Sequence, residues 1–81
     1  MPIRVAIVDD EPSTIIALET LLKRAGGLCS SGSYQDAQHA LSNIPITKPD
    51  LVLMDIRMPD LSGIECTRQL KLAMPRLKVI I

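Results

Sequence analysis

The stretch IRVAIV at positions 3–8 is almost unbrokenly apolar and largely β-branched, and it stops at two acids, Asp9 and Asp10. A run of this kind reads as a strand covered on both faces, because a strand with one wet face alternates apolar and polar residues. LVLMDI at 51–56 is a second such run, and it too reaches an acid, Asp55. Strands buried on both faces call for a parallel sheet with helices on either side.

The intervening segments supply those helices. Pro12 sits where a helix can begin. Apolar residues at Ile15, Leu18, Leu21, Leu22 and Ala25 recur at helical spacing, Lys23 and Arg24 fall in the last turn, and Gly26 provides a stop. LCSSGSY at 28–34 reads as a short, weak strand interrupted by Gly32. Ser33 followed by Asp36 reads as a capping box for a helix running to about Asn43, with Ala37, Ala40, Leu41 and Ile44 on its buried side. Pro45 and Pro49 then bound a loop. Ser62 followed by Glu65 repeats the box, opening a helix to Ala73 with Cys66, Leu70, Ala73 and Met74 on one stripe and Pro75 as its end. LKVII at 77–81 starts a fourth strand. The order is βαβαβαβ, with no repeat and no low-complexity linker, which predicts an open parallel sheet between helical layers. The run at 77–81 meets no turn signal, so a larger fold interrupted after its fourth strand is expected.

Composition narrows the function. With no Phe and no Trp, the core must be aliphatic. Nine Lys and Arg balance nine Asp and Glu, which gives no support to a nucleic-acid or acidic-membrane surface. No apolar run is long enough to span a bilayer, and MPIRVAIVDD reaches acids too early for a secretory signal, so a cytoplasmic location is expected. Cys29 and Cys66 fit that compartment as reduced, buried thiols, and without a CxxC spacing they make no metal site.

The acids carry the chemistry. In open α/β sheets ligands bind beyond the carboxyl ends of the strands, where the strand order reverses. If the first and third strands are neighbours there, Asp9, Asp10 and Asp55 converge. Three carboxylates in one crevice repel, and a divalent cation relieves the repulsion; an all-oxygen donor set suits Mg²⁺. A carboxylate beside Mg²⁺ can attack phosphorus and become an aspartyl phosphate.

VDDEP at 8–12 and LMDIRMPDLSG at 53–63 resemble the receiver domains of two-component response regulators. The resemblance runs collinearly from Ile3 to the end of the chain. It implies a flavodoxin-like three-layer αβα fold with sheet order 2-1-3-4-5, of which residues 1–81 would be a partial domain ending after the fourth strand, with any output domain outside it. It implies that Asp55 accepts a phosphoryl group from a sensor histidine kinase or phosphotransfer protein, that Asp10 binds Mg²⁺ directly and Asp9 through water, and that the backbone carbonyl of Arg57 is a further ligand. Met58 and Pro59 would shape the loop behind Asp55, and Gly63 would permit the tight turn into the helix that Ser62 caps, where the family often has Asp.

The family also places a Ser or Thr after its fourth strand and a Lys and an aromatic residue at its fifth. Those positions are not in this sequence, and Lys71 and Lys78 do not replace them. The expectation is a phosphoacceptor module, not a turnover enzyme, with slow phosphorylation, possible self-association through strand four, DNA binding only through an output domain, and a role in transcription regulation.

Two other readings compete. A phosphohydrolase of the haloacid-dehalogenase type needs a second acid two residues after its nucleophile, where this chain has Arg57. An interaction-only fragment would leave the acids idle. The remaining polar and soft residues have plain readings: His39 on a helix surface, Tyr34 at the sheet edge, Met54, Met58 and Met74 in packing, and Lys23-Arg24 at a helix end. Arg57 fits a solvated charge as well as a phosphodonor guide.

Overall fold

The computed structural model covers residues 1–81 and alternates strand and helix throughout: β1 (Ile3–Val8), α1 (Pro12–Arg24), β2 (Leu28–Tyr34), α2 (Ala37–Thr47), β3 (Leu51–Met54), α3 (Gly63–Ala73) and β4 (Lys78–Ile80). All pairings are parallel and the order is β2-β1-β3-β4, so the chain doubles back across β1 and the order reverses between β1 and β3. This is the expected open α/β sheet.

The two faces of β1 explain the layers. Val5 and Ile7 point to one side, where they pack with Leu22 of α1 and the partly buried Ile15, Leu18 and Leu53. Ala6 and Val8 point to the other, into the larger core built with Ala40 and Ile44 of α2 and Cys66 and Leu70 of α3. Every residue of β1 from Val5 to Val8 is at most 1% exposed, which is why its sequence shows no alternation. Leu21 and Ala25 do not join the core. The stripe Ile15–Leu18–Leu22 meets the sheet, Leu21 stands outside it at 61% exposure, and Ala25 is already the C-cap. The positive φ of the turn that follows belongs to Gly27, not Gly26.

β2 is longer than its composition implies, at seven residues. It is accommodated by a bulge: Val5 pairs with Ser30 and Ala6 with Gly32, leaving Ser31 without a partner and Gly32 at φ 148°. Ser30 and Ser33 both donate to the same oxygen of Glu19 in α1, at 3.0 and 2.6 Å. Ser33 is therefore occupied in the sheet and caps nothing. Asp36 is the N-cap of α2, accepting from the His39 amide at 2.8 Å. Pro45 lies inside α2, which runs to Thr47 before Lys48 turns left-handed at φ 50°. The proline ring already holds a helical φ, so it costs an amide donor without dictating an end, and fully buried Ile44 ties that turn to the core.

β3 stops at Met54, two residues before the apolar run does, because the Ile56 carbonyl leaves the sheet to accept from Gly63 at 2.7 Å. In α3, Ser62 caps the Glu65 amide, but the Glu65 carboxylate turns to Arg68 and Gln69, so only half the expected box forms. Cys66 and Leu70 are fully buried, whereas Ala73 is exposed. Leu77 precedes β4 and packs into the core; Ile80 and Ile81 remain more than half exposed. Cys29 is half-buried rather than buried, and both thiols are free.

Candidate functional site

Two hydrogen bonds carry the ladders of β1 one step past its end. The Asp9 amide donates to Tyr34 at 3.0 Å, and the Asp55 amide donates to Val8 at 2.8 Å. Asp9 and Asp55 are thereby fixed at the carboxyl ends of neighbouring strands, at the point where the strand order reverses. Asp10 follows on the open side. Oxygens of Asp9, Asp10 and Asp55 lie within 4.8 Å of one another, with Asp9 and Asp55 half-buried and Asp10 exposed. A depression of about 280 Å³ reaches Asp9 and Asp55 over an apolar floor that includes Ile7, Leu18, Leu53 and Ile80.

The electrostatics are those of a crowded acid cluster. Partial loss of hydration, then the side chain and charge of Asp55, then the charge of Asp9, hold the Asp10 carboxyl above the ordinary carboxylate range. Asp9 already uses one oxygen to accept from the Glu11 amide at 2.9 Å. Asp55 accepts from the Arg57 amide over 3.4 Å, which is long for such a bond. Oxygen donors with unspent negative charge fit a hard divalent cation better than they fit each other.

The loop from Asp55 to Ser62 is built around two close contacts. The Gly63 amide donates to Ile56. A Cβ on Gly63 would stand 1.9 Å from the Asp55 carbonyl oxygen, so the glycine is there for close approach, not for a left-handed turn. Met58 and Leu61 pack against the larger core. Asp60 crosses to α2, its two oxygens accepting from Ala37 at 3.1 Å and Gln38 at 3.0 Å. The sequence gives no local sign of this link, because the partners lie 23 and 22 residues upstream.

The structure thus brings Asp9, Asp10 and Asp55 together, with the Arg57 amide beside Asp55. Lys71 is elsewhere, donating to the Leu77 carbonyl at 2.7 Å. His39 is an exposed residue whose Nδ1 lies 2.8 Å from Asp36. Cys66 is fully buried in the larger core, and that burial pushes its thiol up to about 11, as fits a packing residue.

Fold and site together define an open parallel α/β domain with an acid cluster at its switch point. The sequence profile of the response regulator receiver domain matches residues 5–81, and the chain belongs to that family. It is 35% identical over 80 residues to response regulator protein VraR of Staphylococcus saprophyticus, covering 99% of this chain and 38% of that protein. It is 34% identical over 79 residues to the uncharacterized transcriptional regulatory protein YxjL of Bacillus subtilis, covering 98% of this chain and 36% of that protein. The response regulator domain of Thermotoga maritima CheB superposes with a TM-score of 0.92 at 29% identity, over 98% of this chain and 58% of that one. The chain therefore spans little more than a third of the length of these two curated relatives. No helix is long and apolar enough to cross a membrane.

Proposed function

We propose that Asp55 is the phosphoacceptor of this receiver, taking a phosphoryl group from a histidine kinase or phosphotransfer protein. The observation that carries this is the convergence of Asp9, Asp10 and Asp55 at the switch point. An Asp55 carboxylate oxygen forms the new P–O bond as the P–N bond to the donor imidazole breaks, leaving an aspartyl phosphate. Asp10 and Asp55 would hold Mg²⁺ directly, Asp9 would do so through water, and the Arg57 carbonyl would complete the protein's share. Mg²⁺ supplies charge neutralisation for the incoming phosphoryl oxygens. The chain's own contribution is to hold the Asp55 carboxylate at the strand end, open to a donor from the Asp10 side.

The module acts by accepting phosphate and not by turnover, in the cytoplasm, with transcription regulated through an output domain elsewhere in the protein. A phosphohydrolase of the haloacid-dehalogenase type is disfavoured by Arg57, which stands where its second acid would be. The test is a small phosphodonor with Mg²⁺ followed by intact-mass measurement. One added phosphoryl group, absent in Asp55→Asn, is expected. Continuous release of phosphate would point to the hydrolase, and no adduct would leave an interaction module.

A further inference from the structure

We propose that Asp60 is a positioning residue: by bridging the β3–α3 loop to the first turn of α2, it sets the placement of Asp55 and Arg57. This rests on the reading of Asp55 as phosphoacceptor. The loop is closed at its base by Gly63 and Ile56, but the one amide that donates to the Asp55 carboxylate is that of Arg57, over a long 3.4 Å, and its other close partner is the like-charged side chain of Asp10. Neither holds it firmly, which leaves its direction to the rest of the loop.

Asp60 provides the hold. The first amides of a helix have no partner inside it. In α2, the amides of Ala37 and Gln38 go to the two oxygens of Asp60, that of His39 goes to the Asp36 side chain, and that of Ala40 goes to the Asp36 carbonyl. Half of the turn is thus satisfied by its own N-cap residue, Asp36, and half by the β3–α3 loop. Two bonds to one carboxylate fix its plane as well as its distance. The anchor is firm, since Ala37 is fully buried. Partial desolvation works against the charge of Asp60, yet the amides of Ala37 and Gln38 hold its carboxyl below the ordinary range. The bridge is therefore charged at neutral pH.

The competing view is that Asp60 is merely a helix cap. Asp36 separates the two, because it caps the same turn yet makes its side-chain hydrogen bonds to His39 alone and none to the loop, although its charge and that of Asp60 repel. In the full-length protein, Asp60→Ala and Asp36→Ala should both lower the melting temperature. Only Asp60→Ala should slow phosphoryl acceptance at saturating Mg²⁺, by roughly ten- to a hundredfold if the reacting oxygen is displaced by an ångström or so. Asp60→Asn, which keeps one acceptor oxygen, should recover part of the rate. Amide hydrogen exchange at Gly63, at the base of the same loop, should quicken in Asp60→Ala and stay unchanged in Asp36→Ala. Equal labelling of the two alanine variants, or equal exchange at Gly63, overturns the proposal. If the wild-type protein accepts no phosphoryl group, the phosphoacceptor reading has failed, and Gly63 exchange alone decides whether Asp60 holds the loop.

Discussion

Gly63→Ala is a substitution for which helix propensity and structure predict opposite signs. Gly63 is the first residue of α3, and alanine is a better helix former by about 1 kcal/mol. The structure reverses that gain. The added Cβ would meet the Asp55 oxygen at 1.9 Å, the Asp55 carbonyl carbon at 2.8 Å and the Ile56 Cα at 2.9 Å, all of them backbone atoms that no rotamer change can clear. To reach an ordinary 3.4 Å contact, loop and helix must part by about 1.5 Å. Overpacking of this sort costs ~1–3 kcal/mol. The parting also breaks the Gly63–Ile56 hydrogen bond, a further loss of ~0.5–1.5 kcal/mol. After the propensity gain, a net loss of about 2 kcal/mol remains, which lowers the melting temperature by several degrees. If the acid cluster holds Mg²⁺ as proposed, stabilisation by the ion should fall as well, because the displaced atoms belong to Asp55. Thermal unfolding followed by circular dichroism, with and without MgCl₂, measures both. Gly26→Ala is the control, since nothing lies within 4 Å of the added methyl and it should melt like wild type. A Gly63→Ala variant that melts at the wild-type temperature or above, with its Mg²⁺ response intact, refutes the argument.

Three further outcomes are expected. Asp10→Asn should raise the melting temperature in the absence of metal and abolish the Mg²⁺-dependent rise: a carboxyl held above its usual range destabilises the fold once ionised, a cost relieved as pH falls through its folded pKa; a lower metal-free melting temperature would contradict this. Glu65 has the opposite sign. Its hydrogen bonds from Arg68 and then Gln69 hold it down at about 2, so its contribution is complete above the unfolded value of 4.5 and fades as pH drops towards 2; a carboxyl NMR titration midpoint near 4.5 would show that those bonds do not persist in solution. Pro45→Ala should stabilise α2 by ~1–3 kcal/mol, because it restores a donor for the Leu41 carbonyl in a helix that already continues to Thr47; a loss in denaturant midpoint would show that the ring's rigidity matters more than the missing bond.

What the sequence revealed, and what it hid, follow a physical line. β1, β3 and the convergence of Asp9, Asp10 and Asp55 were legible because they depend on burial of whole strands and on the rule for parallel sheets, both written in runs of residue type. The extent of α2 was not, because Pro45 signals a missing amide and not a helix end, and the packing of Ile44 outweighs it. Leu21 shares the periodicity of its neighbours, but which of them meets the sheet is set by how α1 is rotated on it, which spacing alone does not encode. The acid in Asp60 was visible while its partners were not, since a tertiary cap has no fixed spacing. Gly63 was expected as a turn residue; its need for close contact with the Asp55 backbone is set by how α3 approaches the loop, which no local pattern encodes.

The bulge in β2 has a consequence for how this edge strand can vary. In an uninterrupted strand, residues three apart point to opposite faces, yet Ser30 and Ser33 both reach Glu19. The strand is written in two phases, joined at Ser31, whose hydroxyl is buried and bonded to nothing. Deleting Ser31 would bring the Ser30–Val5 and Gly32–Ala6 pairs into direct succession, with every later side chain on the face it now occupies. Deleting a residue beyond the bulge, such as Ser33, would instead carry Tyr34 from the larger core to the α1 side unless the bulge relaxed to compensate. β2 therefore has one site at which its length is free to change and, on either side of it, segments in which length and meaning are locked together.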